Sequence, residues 1–260
     1  MAAPNGRGSW NIIGKFVLAA LACLTVAACA EPDDLNANQQ AGTINAADYS
    51  AFYLWTGVPA PAAMDDAQAV YLLWGELRID DPSRIVPLRR AAPTAIVDEK
   101  WLVVRAERLD WQEAAYTQLT READRWNRHG GLTGVQVDFD SSTDELGDYA
   151  KFLRDIRLRL PEGLKLSATG LMDWPANAPR QELDAMRDAL DEIVIQTYRE
   201  TVTIQDYRRY LAATERLDMP YKVALVEGGE WEAPAQLASD PDFRGFIVFL
   251  LGEKHKKVRK

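Results

Sequence analysis

Short runs of apolar or alternating residues, rich in β-branched and aromatic side chains, recur along the chain at 51–57, 69–77, 101–109, 134–140, 165–174, 192–199, 221–227 and 243–251. Runs of this length and composition predict strands. Between several of them the apolar spacing becomes helical. Residues 111–129 follow that spacing and stop at Gly130 and Gly131, a glycine signal for a helix C-terminus. Residues 144–160 place Leu146, Tyr149, Leu153, Ile156 and Leu160 on one face and end at Pro161; 178–190 and 203–217 follow the same logic, the last stopping before Pro220. The second half therefore reads βαβαβαβ, the order of a parallel sheet with crossover helices.

Eight strands within residues 49–252 predict an α/β protein, a (β/α)8 TIM-like barrel near the lower size limit of about 200 residues. The segment 58–68 carries Pro59 and Pro61 and leaves little room for a helix, so the N-terminal half is expected to be distorted. A doubly wound open sheet is the alternative, but no glycine-rich phosphate loop follows any strand.

The first residues change the picture of location. Arg7 and Lys15 precede an apolar run at 16–28, too short to span a bilayer comfortably, and small residues close it. The ending Leu24-Thr-Val-Ala-Ala-Cys29 resembles a bacterial lipobox, in which the cysteine is lipidated and becomes the mature N-terminus. Residues 1–28 are thus expected to be a lipoprotein signal peptide. Ala30, by resemblance to Gram-negative sorting, favours the outer membrane, facing the periplasm. Residues 29–48, rich in Asn, Gln, Ala and Asp, read as a flexible tether, and residues 253–260 as a basic tail.

Composition narrows the chemistry. The net charge is −9, and loss of Arg7 and Lys15 with the signal would make it −11. Such a surface disfavours nucleic acid. Two His and two Cys leave too few ligands and nucleophiles for zinc clusters, His-based triads or a disulfide scaffold. Catalysis would lean on carboxylates, Tyr, Arg or Lys, and no cofactor is expected. A metal-dependent reading would have to use Asp138, Asp140 and Glu107, which no spaced ligand motif supports. The sequence does not set the oligomeric state.

Residues two apart on a strand share a face. In the fourth strand Val135, Val137 and Phe139 suit packing under helices, whereas Gln136, Asp138 and Asp140 would point into the barrel. The same treatment puts Glu76, Arg105, Glu107, Thr169, Gln196, Tyr198 and Glu227 inside. Barrel enzymes place their chemistry at the C-terminal ends of strands. The structural alternative is an ion pair between Arg105 and Asp138 on neighbouring strands. Trp55, Trp74, Trp174 and Trp231 fall near strand C-terminal ends, where indole faces suit stacking on sugar rings; Trp101, Trp111 and Trp126 read as core.

Gly134-Val-Gln-Val-Asp-Phe-Asp140 resembles the fourth-strand motif Gly-x-Asp-x-Asp-x-Glu of glycoside hydrolase family 18, the chitinase-like barrels. Asp138 matches the second Asp, Gln136 replaces the first, and Asp140 replaces the acid Glu. Tyr198 matches the tyrosine of the sixth-strand Met-x-Tyr-Asp, and Phe249 stands where the chitinase floor has Trp. A closer resemblance is to bacterial domain-of-unknown-function family number 3142. It rests on 135–140, Leu166-Ser-Ala-Thr-Gly-Leu-Met-Asp-Trp174, Gln196-Thr-Tyr198, Val226-Glu-Gly-Gly-Glu-Trp231 and 243–249.

The hydrolase resemblance implies a glycosidase-like enzyme acting on a cell-envelope or imported glycan. Asp138, Asp140 and Tyr198 would be catalytic, with Asp140 the acid, its pKa raised by burial and by Asp138. Gln136, Gln196, Glu227, Trp174, Trp231, Arg105 and Glu76 would bind substrate. The opposite carboxylate would be Glu227 or Glu76, at about 5–5.5 Å for retention or about 6.5–9.5 Å for inversion. The substrate's own acetamido group is the alternative nucleophile. The competing function is a non-catalytic glycan- or protein-binding lipoprotein, which loss of the acid Glu and floor Trp favours.

Overall fold

The computed structural model describes residues 42–58, 60, 62–90 and 97–252. The signal segment, Cys29 and the basic tail lie outside the described residues. Among the described residues no helix is long and apolar enough to cross a membrane.

Eight parallel strands close into a barrel: β1 (Ala51–Leu54), β2 (Ala69–Leu77), β3 (Glu99–Ala106), β4 (Gly134–Asp138), β5 (Lys165–Leu171), β6 (Glu192–Gln196), β7 (Tyr221–Val226) and β8 (Phe243–Phe249). Each pairs with its sequence neighbours. Closure comes from β8 against β1, at Val248↔Phe52 and Phe249↔Tyr53. The helices are α1 (Glu113–Gly130), α2 (Leu146–Arg157), α3 (Trp174–Asn177), α4 (Arg180–Ala189) and α5 (Tyr207–Leu211). They occupy the connections from β3 to β7.

The N-terminal half departs from the regular pattern as its prolines suggest. A 3-10 turn, Ala62–Asp66, joins β1 to β2, and a short antiparallel strand, Ile85–Pro87, lies against the end of β2 where a crossover helix would stand. The helix expected over 203–217 is split. Val202–Thr203 pairs with Tyr198–Arg199 as a hairpin, α5 starts after the left-handed Asp206, and a 3-10 turn, Thr214–Leu217, ends at the left-handed Asp218. The expected tether to residue 48 is also too long. Gly42–Thr43 pairs with Glu230–Trp231, and Ile44 and Ala46 are buried in the core.

The outward strand faces and the helices form the main core. Val135 and Val137 of β4 and Leu166 and Ala168 of β5 are fully buried there, with Tyr149, Leu153 and Met186 from the helices. Gly134 starts β4 where the backbones crowd: an added Cβ would meet the carbonyl of Lys165 and lie 2.7 Å from the Trp101 ring.

The lower half of the barrel interior is polar and closed. Lys222 donates to Glu99 Oε2 at 2.6 Å and to the Tyr71 hydroxyl at 3.0 Å, and its Nζ lies 3.6 Å from Glu192. Tyr71 and Ser167 donate to Glu192 Oε1 at 2.6 and 3.1 Å. Gln136 donates to Ser167 at 2.9 Å and accepts from the Tyr53 hydroxyl at 2.7 Å. Every group in this chain is used, which is the condition for a buried polar network to hold. Burial pushes the Glu192 carboxyl up and Lys222 opposes it. Burial acts upward on Glu99 too, but Lys222, Trp101 and Lys165 together bring it below its ordinary value.

Lys222→Met would leave the buried Glu192 carboxylate at the barrel floor without its cation. We expect a loss of about 3–5 kcal/mol, the usual penalty for breaking a buried pair, measured by urea unfolding. A change within about 0.5 kcal/mol, typical of a surface site, would show the floor to be solvated.

Candidate functional site

Above the polar floor the barrel opens at the C-terminal ends of its strands into a cavity of about 980 Å³. Eight residues singled out from the sequence line it: Trp55, Arg105, Asp138, Asp140, Thr169, Gln196, Tyr198 and Phe249. The alternation of β4 explains the carboxylates. Val137 is fully buried toward the helices, so its neighbour Asp138 faces inward, and Asp140 follows on the same side just past the strand end.

Asp138 is half-buried, and Thr169 donates to its Oδ1 at 2.9 Å. The Thr169 oxygen in turn accepts the Phe139 N–H at 3.3 Å, so one hydroxyl ties the top of β4 to β5. Burial pushes the Asp138 carboxyl above the ordinary aspartate range; the Arg105 guanidinium and the Thr169 bond pull it down, and the Asp140 charge raises it. The ion pair between Arg105 and Asp138, the structural alternative, does not form. The two are register partners on β3 and β4, but among the described residues Arg105 makes no salt bridge, and its guanidinium lies 5.5 Å from the centre of the Trp55 ring. Asp140 is exposed to the cavity. The burial expected at Asp140 therefore acts on Asp138.

Tyr198 is buried at the wall, stacked on Phe249 at 5.4 Å between ring centres. Burial, then the charges of Asp138 and Asp140, push its phenol well up, so it remains an O–H donor at neutral pH. Phe249 also meets Trp55 edge to face at 5.6 Å. The cavity thus has an aromatic wall of Trp55, Phe249 and Tyr198 and a charged wall of Arg105, Asp138 and Asp140.

Other sequence expectations are corrected. Gln136 is completely buried below the cavity, held between Tyr53 and Ser167, where no substrate reaches it. Trp174 is not at the opening. Its ring fills the space that a side chain at Gly170 would need, and its indole donates to the Ser141 carbonyl at 2.9 Å. Trp231 is buried against Tyr207, stacked at 4.3 Å, and Trp74 is buried in the helix-facing core. Glu76, Glu107 and Glu227 do not line the cavity. Glu76 accepts from Arg78, Glu107 from the Ile79 N–H, and Glu227 from the Leu251 N–H. Neither carboxylate proposed to face Asp140 is among the residues that line the cavity.

The sequence reading missed Tyr53, Asp173 and the hairpin residues Arg199 and Glu200, all of which line the cavity. Tyr53 shares a strand face with Trp55, so parity could have found it. Asp173 and the hairpin follow strand ends, where parity no longer applies. Among the described residues no three His, Cys, Asp or Glu side chains are grouped to hold a metal ion.

Solved structures similar to this chain include the Bacillus cereus spore cortex-lytic enzyme SleL, at 16% identity and a TM-score of 0.48, over 67% of this chain and 49% of that one. The chain thus spans about half of SleL. The class V chitinase from Nicotiana tobaccum matches at 13% identity and a TM-score of 0.42, over 67% of this chain and 65% of the chitinase. The tamarind chitinase-like lectin matches at 11% identity and a TM-score of 0.46, over 77% of this chain and 94% of the lectin. No curated protein matches the chain. Residues 102–225, from β3 to β7 and including Asp138, Asp140 and Tyr198, match the family model described as Domain of unknown function (DUF3142), the family that the strand motifs resemble.

Proposed function

We propose that this barrel is a glycoside-hydrolase-like enzyme of the bacterial cell envelope, tethered to the outer membrane through lipid on Cys29 and acting on an envelope or imported glycan. One observation carries the catalytic part. Asp138, Asp140 and Tyr198 line a single cavity at the strand C-terminal ends together with the aromatic side chains of Trp55 and Phe249. Aromatic faces suit the CH-rich faces of sugar rings, and Arg105 and Gln196 supply donors for hydroxyl or acetamido oxygens.

In this reading Asp140, open to the cavity, gives a proton to the leaving glycosidic oxygen. Burial and its neighbour's charge make Asp138 hold a proton more readily than an ordinary aspartate, and that proton is the one Asp140 passes to the leaving oxygen. Tyr198 donates to the oxygen on which charge develops. With Glu227 and Glu76 away from the cavity, the second nucleophile is the substrate's own acetamido group, one of the exceptions to the two-carboxylate scheme.

A second reading, a non-catalytic glycan- or protein-binding lipoprotein, is favoured by one feature. The residue at the acid position is an aspartate, one methylene shorter than glutamate, and it is exposed rather than enclosed.

Three outcomes test these readings. Incubated with N-acetylated and plain oligosaccharides and followed by mass spectrometry, the wild type should cleave at least one. Asp140→Asn should then lose about 10²-fold or more in turnover, the scale of a positioned acid, while still binding. Tyr198→Phe should also lose turnover. Binding without cleavage by the wild type would select the second reading, and cleavage that survives Asp140→Asn would refute the site assignment.

Asp138 also predicts a pH dependence. Its folded-state pKa lies above its unfolded value, so the folded protein binds the extra proton. Stability should fall as pH rises from the ordinary aspartate range through the raised value. Urea unfolding across that window should show a shallower decline for Asp138→Asn; identical slopes would place Asp138 in solvent. For the tether, Cys29→Ser should move the protein out of the membrane fraction or leave its signal uncut. Membrane association that persists after cleavage at a soluble-type site would exclude lipidation.

A further inference from the structure

A second concavity lies outside the barrel, away from the carboxylates. It has a volume of about 510 Å³ and is lined by Trp74, by Pro87 at the end of the short strand Ile85–Pro87, by Arg89 and Arg90 beyond it, and by one face of α1. That face consists of Ala114, Thr117, Gln118, Arg121, Glu122 and Arg125, spaced by three and four residues so that they share one side of the helix. Four guanidinium groups and one carboxylate thus border one pocket, in a chain whose net charge is −9.

The single carboxylate is already engaged. Glu122 accepts from Arg125 Nε at 2.9 Å and from the Trp126 indole at 2.8 Å, and it pairs with Arg125 Nη2 as well. Arg89, Arg90 and Arg121 form no ion pair among the described residues, and the Nε of Arg89 is buried without a hydrogen-bond partner. Burial lowers the Arg89 pKa. A buried N–H with no acceptor is costly, and an arriving anion removes that cost.

The walls are fixed in advance. Gln118 both donates to the Ile85 carbonyl at 2.7 Å and accepts its N–H at 3.0 Å, which clamps α1 to the strand. The Leu88 and Arg89 N–H groups both bond the Trp74 carbonyl, at 2.8 and 3.0 Å, and Arg125 Nη2 reaches the Arg90 carbonyl at 3.2 Å. The arginine stems therefore leave a braced backbone.

We propose that this pocket is an anion site for a multiply charged phosphoryl group, with Arg89, Arg90 and Arg121 as its ligands. Three uncompensated guanidinium groups exceed what one carboxylate would satisfy, and planar N–H forks match phosphate oxygens in pairs. The chemistry is shared by a free phosphoryl compound and by an anionic lipid headgroup.

The test uses the full chain and isothermal titration with three probes: pyrophosphate, monomeric dihexanoylphosphatidic acid, and citrate. Pyrophosphate or the short lipid should bind, and whichever binds identifies the source. Arg121→Gln and Arg90→Gln, both at exposed positions, should each weaken that binding by about tenfold or more, the scale of a charge-assisted hydrogen bond. Arg128→Gln, on α1 but outside the pocket and paired with Asp124, should leave it unchanged. Absence of binding by both phosphoryl probes, equal binding by the two pocket variants and the wild type, or tighter binding of citrate would each overturn the proposal.

Discussion

The architecture depends on how the barrel fills its own lower interior. A small closed barrel leaves space on its axis that side chains must occupy, and apolar layers are the usual filling. Here the filling is a charge system centred on Lys222, which joins Glu99 of β3, Glu192 of β6 and Tyr71 of β2. Glu99 and Tyr71 lie on β3 and β2, neither of which adjoins β7, the strand of Lys222, so these two contacts cross the barrel and brace its bore, while Glu192 lies on the adjacent β6. The hydrogen bonds run in one direction, from Tyr53 to Gln136 to Ser167 to Glu192, because each hydroxyl or amide both gives and receives. That directionality orients Gln136, and Gln136 stands two residues below Asp138 on β4. The floor thereby sets the position of the strand that carries the candidate carboxylates.

The strand order and the inward side of β4 were legible because both follow from period-two alternation. Arg105, Asp138, Asp140, Gln196 and Tyr198 come together for that reason. The same rule places Gln136 inside but says nothing about height, and height separates a packed floor residue from a cavity residue. Glu76 shows a different limit. The register between β2 and β3 shifts between Leu73 and Gly75, leaving Trp74 unopposed. Parity counted from either end of β2 then gives opposite answers. Trp174 and Trp231 stand beyond strand ends, where their side chains are directed by a glycine gap and by a tyrosine that no pattern announces.

The lower network was missed for a chemical reason. Glu99, Glu192 and Lys222 stand at or near the starts of strands, where charged residues in a sequence ordinarily mark solvent-exposed turns. Only the closed geometry, which brings three strand starts together, turns Glu192 and Lys222 into a buried pair with the half-exposed Glu99 at its edge. Glu192 opens β6 and Lys222 is second in β7, and both are nearly inaccessible. A reader of the sequence would need the closure before the charges made sense.

The separation of Arg105 from Asp138 has the clearest bearing on chemistry. They are register partners on adjacent strands, the arrangement most favourable to an ion pair. A direct pair would hold the Asp138 carboxyl ionised and remove the guanidinium from the cavity. Instead the guanidinium lies near Trp55, and the hydrogen bond to Asp138 comes from the neutral Thr169. A neutral donor satisfies one oxygen without cancelling the charge, so desolvation prevails and the carboxyl rises in pKa. Both groups then stay available to whatever enters the cavity. A barrel built only for stability gains nothing from keeping a cation and an anion apart on adjacent strands; a site that must meet the hydroxyls and ring oxygens of a ligand gains a donor and a proton-holding acid.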